Sequence, residues 1–147
     1  MNVQTAAKNV RVSEVLLVED NMSDVILVQE SLKESNIIVK LNVITDADQA
    51  LDYLRQRTPH QNAPGPNLII LDINMPKKSG LEILEEIKAD PLLKNIPVVV
   101  LTTSRSDKDI LKTYGLGATC FITKPLGFYE FMESVKSIVG NFLSPRL

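Results

Sequence analysis

The chain has 147 residues, of which 44% are hydrophobic and 23% charged, with a formal net charge of −2. That length fits one domain with a single sizeable core, and a mildly acidic balance without a Lys/Arg block excludes the electrostatic footprint of direct nucleic-acid or anionic-membrane binding. A single cysteine (Cys120) rules out an internal disulfide, and a single histidine (His60) leaves zinc centres and Ser-His or Cys-His triads without their raw material.

Residues 1–12 read as a flexible N-terminal arm, polar and without the apolar centre of a secretory signal. The first strand is expected over Glu14–Glu19, where Val15-Leu16-Leu17-Val18 runs straight into the carboxylates Glu19-Asp20. A helix follows over Met22–Ser35, with Val25, Val28 and Leu32 on one face. Ile38–Ile44 alternates apolar and polar residues, as an edge strand does, and ends blandly in Ile44-Thr45. In the helix expected over Asp46–Arg57, Ala47, Ala50, Leu51 and Leu54 fall at i, i+3, i+4 and i+7. His60 lies in the turn-rich stretch that follows and reads as a solvated loop residue.

The third strand, Asn67–Asp72, is continuously apolar until it closes on Asp72. A helix over Gly80–Asp90 carries Leu84 and Ile87 and stops before Pro91. Ile96–Thr102 is another buried strand, ending in Thr102. The helix Ser106–Tyr114 precedes Gly115 and Gly117, either of which can supply a left-handed terminal residue. Ala118–Thr123 is the fifth strand. It contains Cys120, read as a buried inert thiol, and runs into Lys124-Pro125. The last helix, Phe128–Phe142, stripes Phe131, Val135, Ile138 and Phe142 along one side, and residues 143–147 read as a short tail. No apolar stretch approaches the roughly 18 residues of a membrane span, and the whole suits a reducing cytoplasm.

Strands alternating with helices through short connections give an α/β fold, a doubly wound parallel (βα)5 sheet of the flavodoxin-like order 2-1-3-4-5. Ligands of such sheets bind beyond the carboxyl ends of the strands, where strand order reverses. Four strands would bring Glu19, Asp20, Asp72, Thr102 and Lys124 to that edge. Clustered like charges cost folding energy, and such clusters generally hold a hard cation or perform chemistry. The set suits phosphoryl transfer: a carboxylate nucleophile, Mg²⁺ on oxygen ligands, a mobile ammonium and a hydroxyl donor. Singly, Asp20 also reads as a helix cap, Thr102 as a strand cap and Lys124 as a solvated loop charge. All of these at four strand ends together is the less economical account.

The segments Leu17-Val18-Glu19-Asp20-Asn21, Ile70-Leu71-Asp72-Ile73-Asn74-Met75-Pro76, Gly80-Leu81-Glu82, Val98-Val99-Val100-Leu101-Thr102 and Phe121-Ile122-Thr123-Lys124-Pro125 resemble the motifs of two-component response-regulator receiver domains, over residues 13–142. Within that family the likeness runs to stand-alone regulators of cyanobacterial and bacterial phytochrome histidine kinases, carried by Pro64-Gly65-Pro66-Asn67-Leu68, Asn74 to Gly80, Ile87 to Pro91 and Leu101 to Ser104. The resemblance implies that Asp72 accepts a phosphoryl group from a phosphohistidine of the kinase. It implies that Asp20, Asp72, the Asn74 carbonyl and Glu19 (directly or through water) serve Mg²⁺, and that Thr102 and Lys124 bind the phosphoryl oxygens. It also implies a cis bond before Pro125 and a switching aromatic at Phe121, where a plain core Phe is the alternative. Glu19 stands where many relatives carry Asp, which lengthens its reach, and Thr103 stands where a smaller Ala is frequent, which bears on access to an acyl phosphate.

Such a chain is not an enzyme beyond its own phosphotransfer and dephosphorylation. It would signal through protein contacts with a kinase, a downstream protein effector and a second copy of itself. Tyr114, Phe121, Phe128 and Tyr129 gather on the expected dimer or partner face. The alternative is a degenerate receiver that acts as a constitutive interaction module without phosphorylation. A haloacid-dehalogenase-type phosphatase would need a second Asp where Asn74 stands, and a flavodoxin would need a Ser/Thr/Gly loop where Glu19-Asp20-Asn21 stands. No G-x-G-x-x-G or P-loop pattern occurs.

Overall fold

The computed structural model describes residues 12–76, 79–103, 107–124 and 127–143. In chain order these form β1 (Ser13–Val18), α1 (Met22–Lys33), β2 (Val39–Ile44), α2 (Ala47–Leu54), β3 (Leu68–Asp72), α3 (Gly80–Ala89), β4 (Val98–Thr102), α4 (Asp107–Gly115), β5 (Cys120–Thr123) and α5 (Phe128–Phe142). All strand pairs are parallel, as the alternation of apolar runs and helical stripes implies, and the order is the expected β2-β1-β3-β4-β5. The alternating strand β2 lies at the edge, and the continuously apolar β1, β3 and β4 lie inside.

Two apolar layers hold the sheet. Leu16, Val18, Ile69, Leu71, Val98 and Val100 face α2 and α3, whereas Val15, Leu17, Leu68, Ile70, Val99, Leu101 and Ile122 face α1 and α5. Each fully buried aliphatic side chain contributes about 1.5–3 kcal/mol. Exposed ion pairs such as Lys33–Glu30 contribute about 0–1 kcal/mol, so the layers fix the geometry.

The register sets the strand ends level. Val18 lies opposite Leu71, Asp72 opposite Leu101 and Thr102 opposite Thr123. Side chains alternate with period two, so the side that carries Val15, Leu17, Leu68, Ile70 and Ile122 also receives Glu19, Asp72 and Lys124 one step further on. These three groups therefore meet on the side of the sheet that α1 covers. Gly80, the first residue of α3, packs on the backbone of Asp72. A Cβ there would lie 2.5 Å from the Asp72 carbonyl oxygen and from Ile73 Cα, so only glycine permits this approach.

The elements depart from the sequence pattern mainly at their ends. α2 stops at Leu54 rather than Arg57, because Gln56 turns into the left-handed region at φ 56° and ends the helix. β4 begins at Val98 rather than Ile96, after Pro97, which has no N–H for the ladder. Of the two glycines expected to end α4, Gly117 is the left-handed one at φ 100°, and Gly115 is the last helical residue. Ala118 is turned back toward α4 by an N–H bond to the Thr113 carbonyl, which delays β5 to Cys120.

His60 is a correction. It lies in the loop after α2, as expected, but is half-buried rather than solvated, because the loop turns its ring back on that helix. Its Nε2 lies 3.0 Å from Gln49 Oε1, and its ring meets Tyr53 edge-on at 5.4 Å. Cys120 is half-buried, and burial pushes its thiol up from the ordinary range, in keeping with an inert role. Leu143, assigned from sequence to the tail, is buried with Val139 and Ile37. The rest of the expected tail, residues 1–11 of the expected arm, and Pro125 with its expected cis bond lie outside the described residues. Among the described residues no helix is long and apolar enough to cross a membrane.

Candidate functional site

Beyond the carboxyl ends of β1, β3 and β5 lies a cleft of about 640 Å³, lined among others by Asp20, Asp24, Asp72, Asn74, Thr103 and Lys124. Asp72 is the last residue of β3 and is buried at 2% exposure. Its Oδ1 accepts the Asn74 N–H at 2.9 Å, a two-residue turn that fixes the carboxylate plane. Its Oδ2 faces Lys124 Nζ at 3.7 Å. Lys124 follows β5 directly and its N–H donates to the Thr102 carbonyl, so the ladder itself carries the ammonium to the cleft.

Glu19 is fully buried. Its Oε1 accepts the Asn21 N–H at 3.1 Å and its Oε2 accepts Lys124 Nζ at 3.0 Å. Burial, followed by a hydrogen bond shared with Asp72, pushes the Glu19 carboxyl up to about 7, although Lys124 and the Asn21 N–H pull it down. For Lys124, burial works against the charge, but hydrogen bonds to Asp24 and Glu19 and the charge of Asp72 outweigh it, and the ammonium is held above its ordinary range. The cleft therefore sets several carboxyl groups around one ammonium, and Glu19 gives up its proton less readily than an ordinary carboxyl.

The donor set fits a hard divalent cation. Glu19, Asp20 and Asp72 each offer a carboxylate oxygen, all within 4.8 Å of one another. Oxygen-only ligands, one of them exposed to solvent, suit an ion that keeps waters. The reading of Asp20 as a helix cap is excluded: Asn21 caps α1, its side chain accepting the Asp24 N–H at 3.1 Å. Asp20 is thereby left exposed at the cleft.

Every described residue expected at the strand ends is brought to this edge. Thr102 is buried at the end of β4, and Asn74 and Thr103 cross the mouth, with Asn74 Oδ1 accepting the Thr103 N–H at 2.8 Å and its hydroxyl at 3.2 Å. Phe121 is half-buried on β5 and meets Tyr114 edge-on at 5.6 Å. Tyr114, Phe128 and Tyr129 are exposed at 44%, 60% and 70%. Sequence reasoning missed Asp24, whose Oδ2 is the nearest carboxylate oxygen to Lys124 Nζ, at 2.7 Å. The signal was available: Asp24 is in the first turn of α1, the helix that covers the side where Glu19, Asp72 and Lys124 point.

Comparison with known proteins agrees with this arrangement. Residues 15–136 match the family described as response regulator receiver domain. The chain is 46% identical over 129 residues to the response regulator Rcp1 of Synechocystis sp., covering 88% of each sequence. It resembles the crystal structure of the phosphorylated cyanobacterial phytochrome response regulator RcpA with a TM-score of 0.86 and 44% identity, over 91% of this chain and 96% of that one. It resembles the Mn²⁺-bound form of Rcp1 with a TM-score of 0.84 and 44% identity, over 90% and 95%.

The raised Glu19 carboxyl has a consequence for stability. The unfolded chain loses this proton near pH 4.5 and the folded chain keeps it until about 7. The contribution is therefore full below pH 4.5 and is lost as pH rises through 7. Glu19→Gln abolishes the loss. Its unfolding free energy in urea with chelator, relative to the parent, should rise by on the order of 2–3 kcal/mol between pH 5 and 8. A difference independent of pH over that range would contradict the assignment.

Proposed function

The chain belongs to the response regulator receiver domain family, and from that premise we propose that it is a cytoplasmic single-domain response regulator whose Asp72 takes a phosphoryl group from a phosphohistidine on a sensor histidine kinase. The N–P bond of the donor breaks, its electron pair returns to the imidazole nitrogen, and an Asp72 carboxylate oxygen bonds to phosphorus. The observation that carries this reading is the meeting of buried Asp72 with Lys124 at 3.7 Å beside an oxygen-ligand trio. Transfer of this kind needs positioning and charge neutralisation and little else. The Asn74 N–H orients Asp72, and Lys124 supplies a positive charge for one phosphoryl oxygen. Thr102, at the end of β4, supplies a hydroxyl for another. Mg²⁺ held by Glu19, Asp20, Asp72 and the Asn74 carbonyl supplies positive charge against the phosphoryl oxygens when bound.

Phosphorylation adds charge at the strand ends, draws Thr102 inward and gives Phe121 room to turn in, which shifts the population of the α4-β5-α5 face. The exposed Tyr114 against Phe121, and the exposed Phe128 and Tyr129 in the first turn of α5, support that face as the surface for a homodimer or for a kinase and an effector. The likeness to regulators described as phytochrome response regulators supports a phytochrome as the kinase.

Incubation with acetyl phosphate and Mg²⁺ followed by intact mass tests the central step. A phosphoryl adduct is expected on the parent and absent from Asp72→Asn, and no adduct on the parent would favour the constitutive module. Sedimentation tests the face: a dimer is expected that Tyr129→Ala weakens. A monomer both with and without a phosphoryl mimic would sink the homodimer.

A further inference from the structure

Lys124 brings three N–H donors to a cleft that offers it three carboxylates: Asp24 at 2.7 Å, Glu19 at 3.0 Å and Asp72 at 3.7 Å. Two of the donors are hydrogen-bonded, to Asp24 and Glu19, and the third faces Asp72 across a gap longer than a hydrogen bond. A phosphoryl oxygen on Asp72 that draws the ammonium across this gap lengthens one of the two shorter bonds. Glu19 is a poor one to loosen, because its side chain is fully buried and water cannot replace the lost partner. Asp24 has 21% of its side chain exposed and opens on the cleft, so water can solvate it at once. Asp24 is also outside the trio that offers oxygens to a cation, so releasing it leaves the cation ligands in place. The Asn21 cap fixes the backbone of α1 at Asp24, which holds the side chain over Lys124.

We infer that Asp24 is the resting partner of Lys124 and that phosphoryl transfer exchanges the Lys124–Asp24 ion pair for one between Lys124 and a phosphoryl oxygen. Asp24 is a positioning residue: it never touches the phosphoryl group, and it restrains phosphorylation by holding the ammonium aside. This rests on the phosphoacceptor reading of Asp72. With acetyl phosphate as donor, the O–P bond breaks, acetate leaves with the electron pair, and an Asp72 oxygen takes the phosphorus. The only change at Lys124 is its choice of partner. A structural role for Asp24, as an acidic residue favourable in the first turn of a helix, predicts no dependence on Lys124.

The test is the initial rate of adduct formation with acetyl phosphate and Mg²⁺, read by intact mass. Asp24→Asn should raise the rate about 2- to 5-fold, the range set by partly exposed ion pairs. Asp24→Glu, which restores the charge, should return the rate toward that of the parent. In a Lys124→Ala background, Asp24→Asn should leave the rate unchanged. An unaltered or slower rate in Asp24→Asn overturns the inference, and so does an equal rise in the Lys124→Ala background. If the parent itself takes no adduct, the phosphoacceptor reading fails and this one with it. If the parent is phosphorylated and Asp24→Asn behaves identically, this one alone fails.

Discussion

The arrangement depends on one ammonium among carboxylates at the end of a parallel sheet. Level strand ends bring Glu19 and Asp72 together out of bulk water, where two like charges repel and neither is well solvated. Lys124 lies against both and against Asp24. Removing one member of such a buried set strands the others, which costs about 3–5 kcal/mol. Burial, and then a hydrogen bond shared with Asp72, push the Glu19 carboxyl up even with Lys124 in place. A cation and then a phosphoryl group suit a cleft prepared in this way.

The rest of the fold keeps the groups from relaxing apart. Aliphatic layers on both faces immobilise β1, β3 and β4, and Gly80 brings α3 onto the backbone of Asp72. The Asn21 cap sets the first turn of α1 over Lys124. Side chains that repel one another stay together because apolar burial at about 1.5–3 kcal/mol per large residue outweighs a local electrostatic cost of a few kcal/mol. The connection to a distant surface follows from the same rigidity. β4 and β5 carry Thr102 and Lys124 at their ends and Phe121 in the middle of the pairing, against Tyr114. A change at the strand ends therefore bears on that face through packed, hydrogen-bonded structure.

Much of this was legible in the sequence, for identifiable reasons. Continuous apolar runs closing on Glu19, Asp72 and Thr102 marked inner parallel strands, and the alternation in Val39 to Val43 marked the edge. Element ends were less legible, because they turn on single-residue events such as the positive φ of Gln56 or the N–H of Ala118 turning back to Thr113. His60 was misread because turn-forming neighbours say where a chain bends and not what it bends onto. Asp24 was missed because an acidic residue in a first helical turn has an ordinary explanation. Its contact with Lys124 exists only between elements 100 residues apart.

The claim that the strand-end carboxylates form a cation-seeking cluster, with the Glu19 carboxyl raised, is tested most directly by calorimetric titration of the metal-free protein with Mg²⁺. The titration is run in two buffers of different ionisation enthalpy, so that proton exchange is read separately from binding. At pH 6 binding should release protons, because Glu19 is protonated there and the cation favours its ionised form. The release should vanish near pH 8.5 and be absent from Glu19→Gln. Binding at pH 6 without proton release, or no binding at all, would contradict the account.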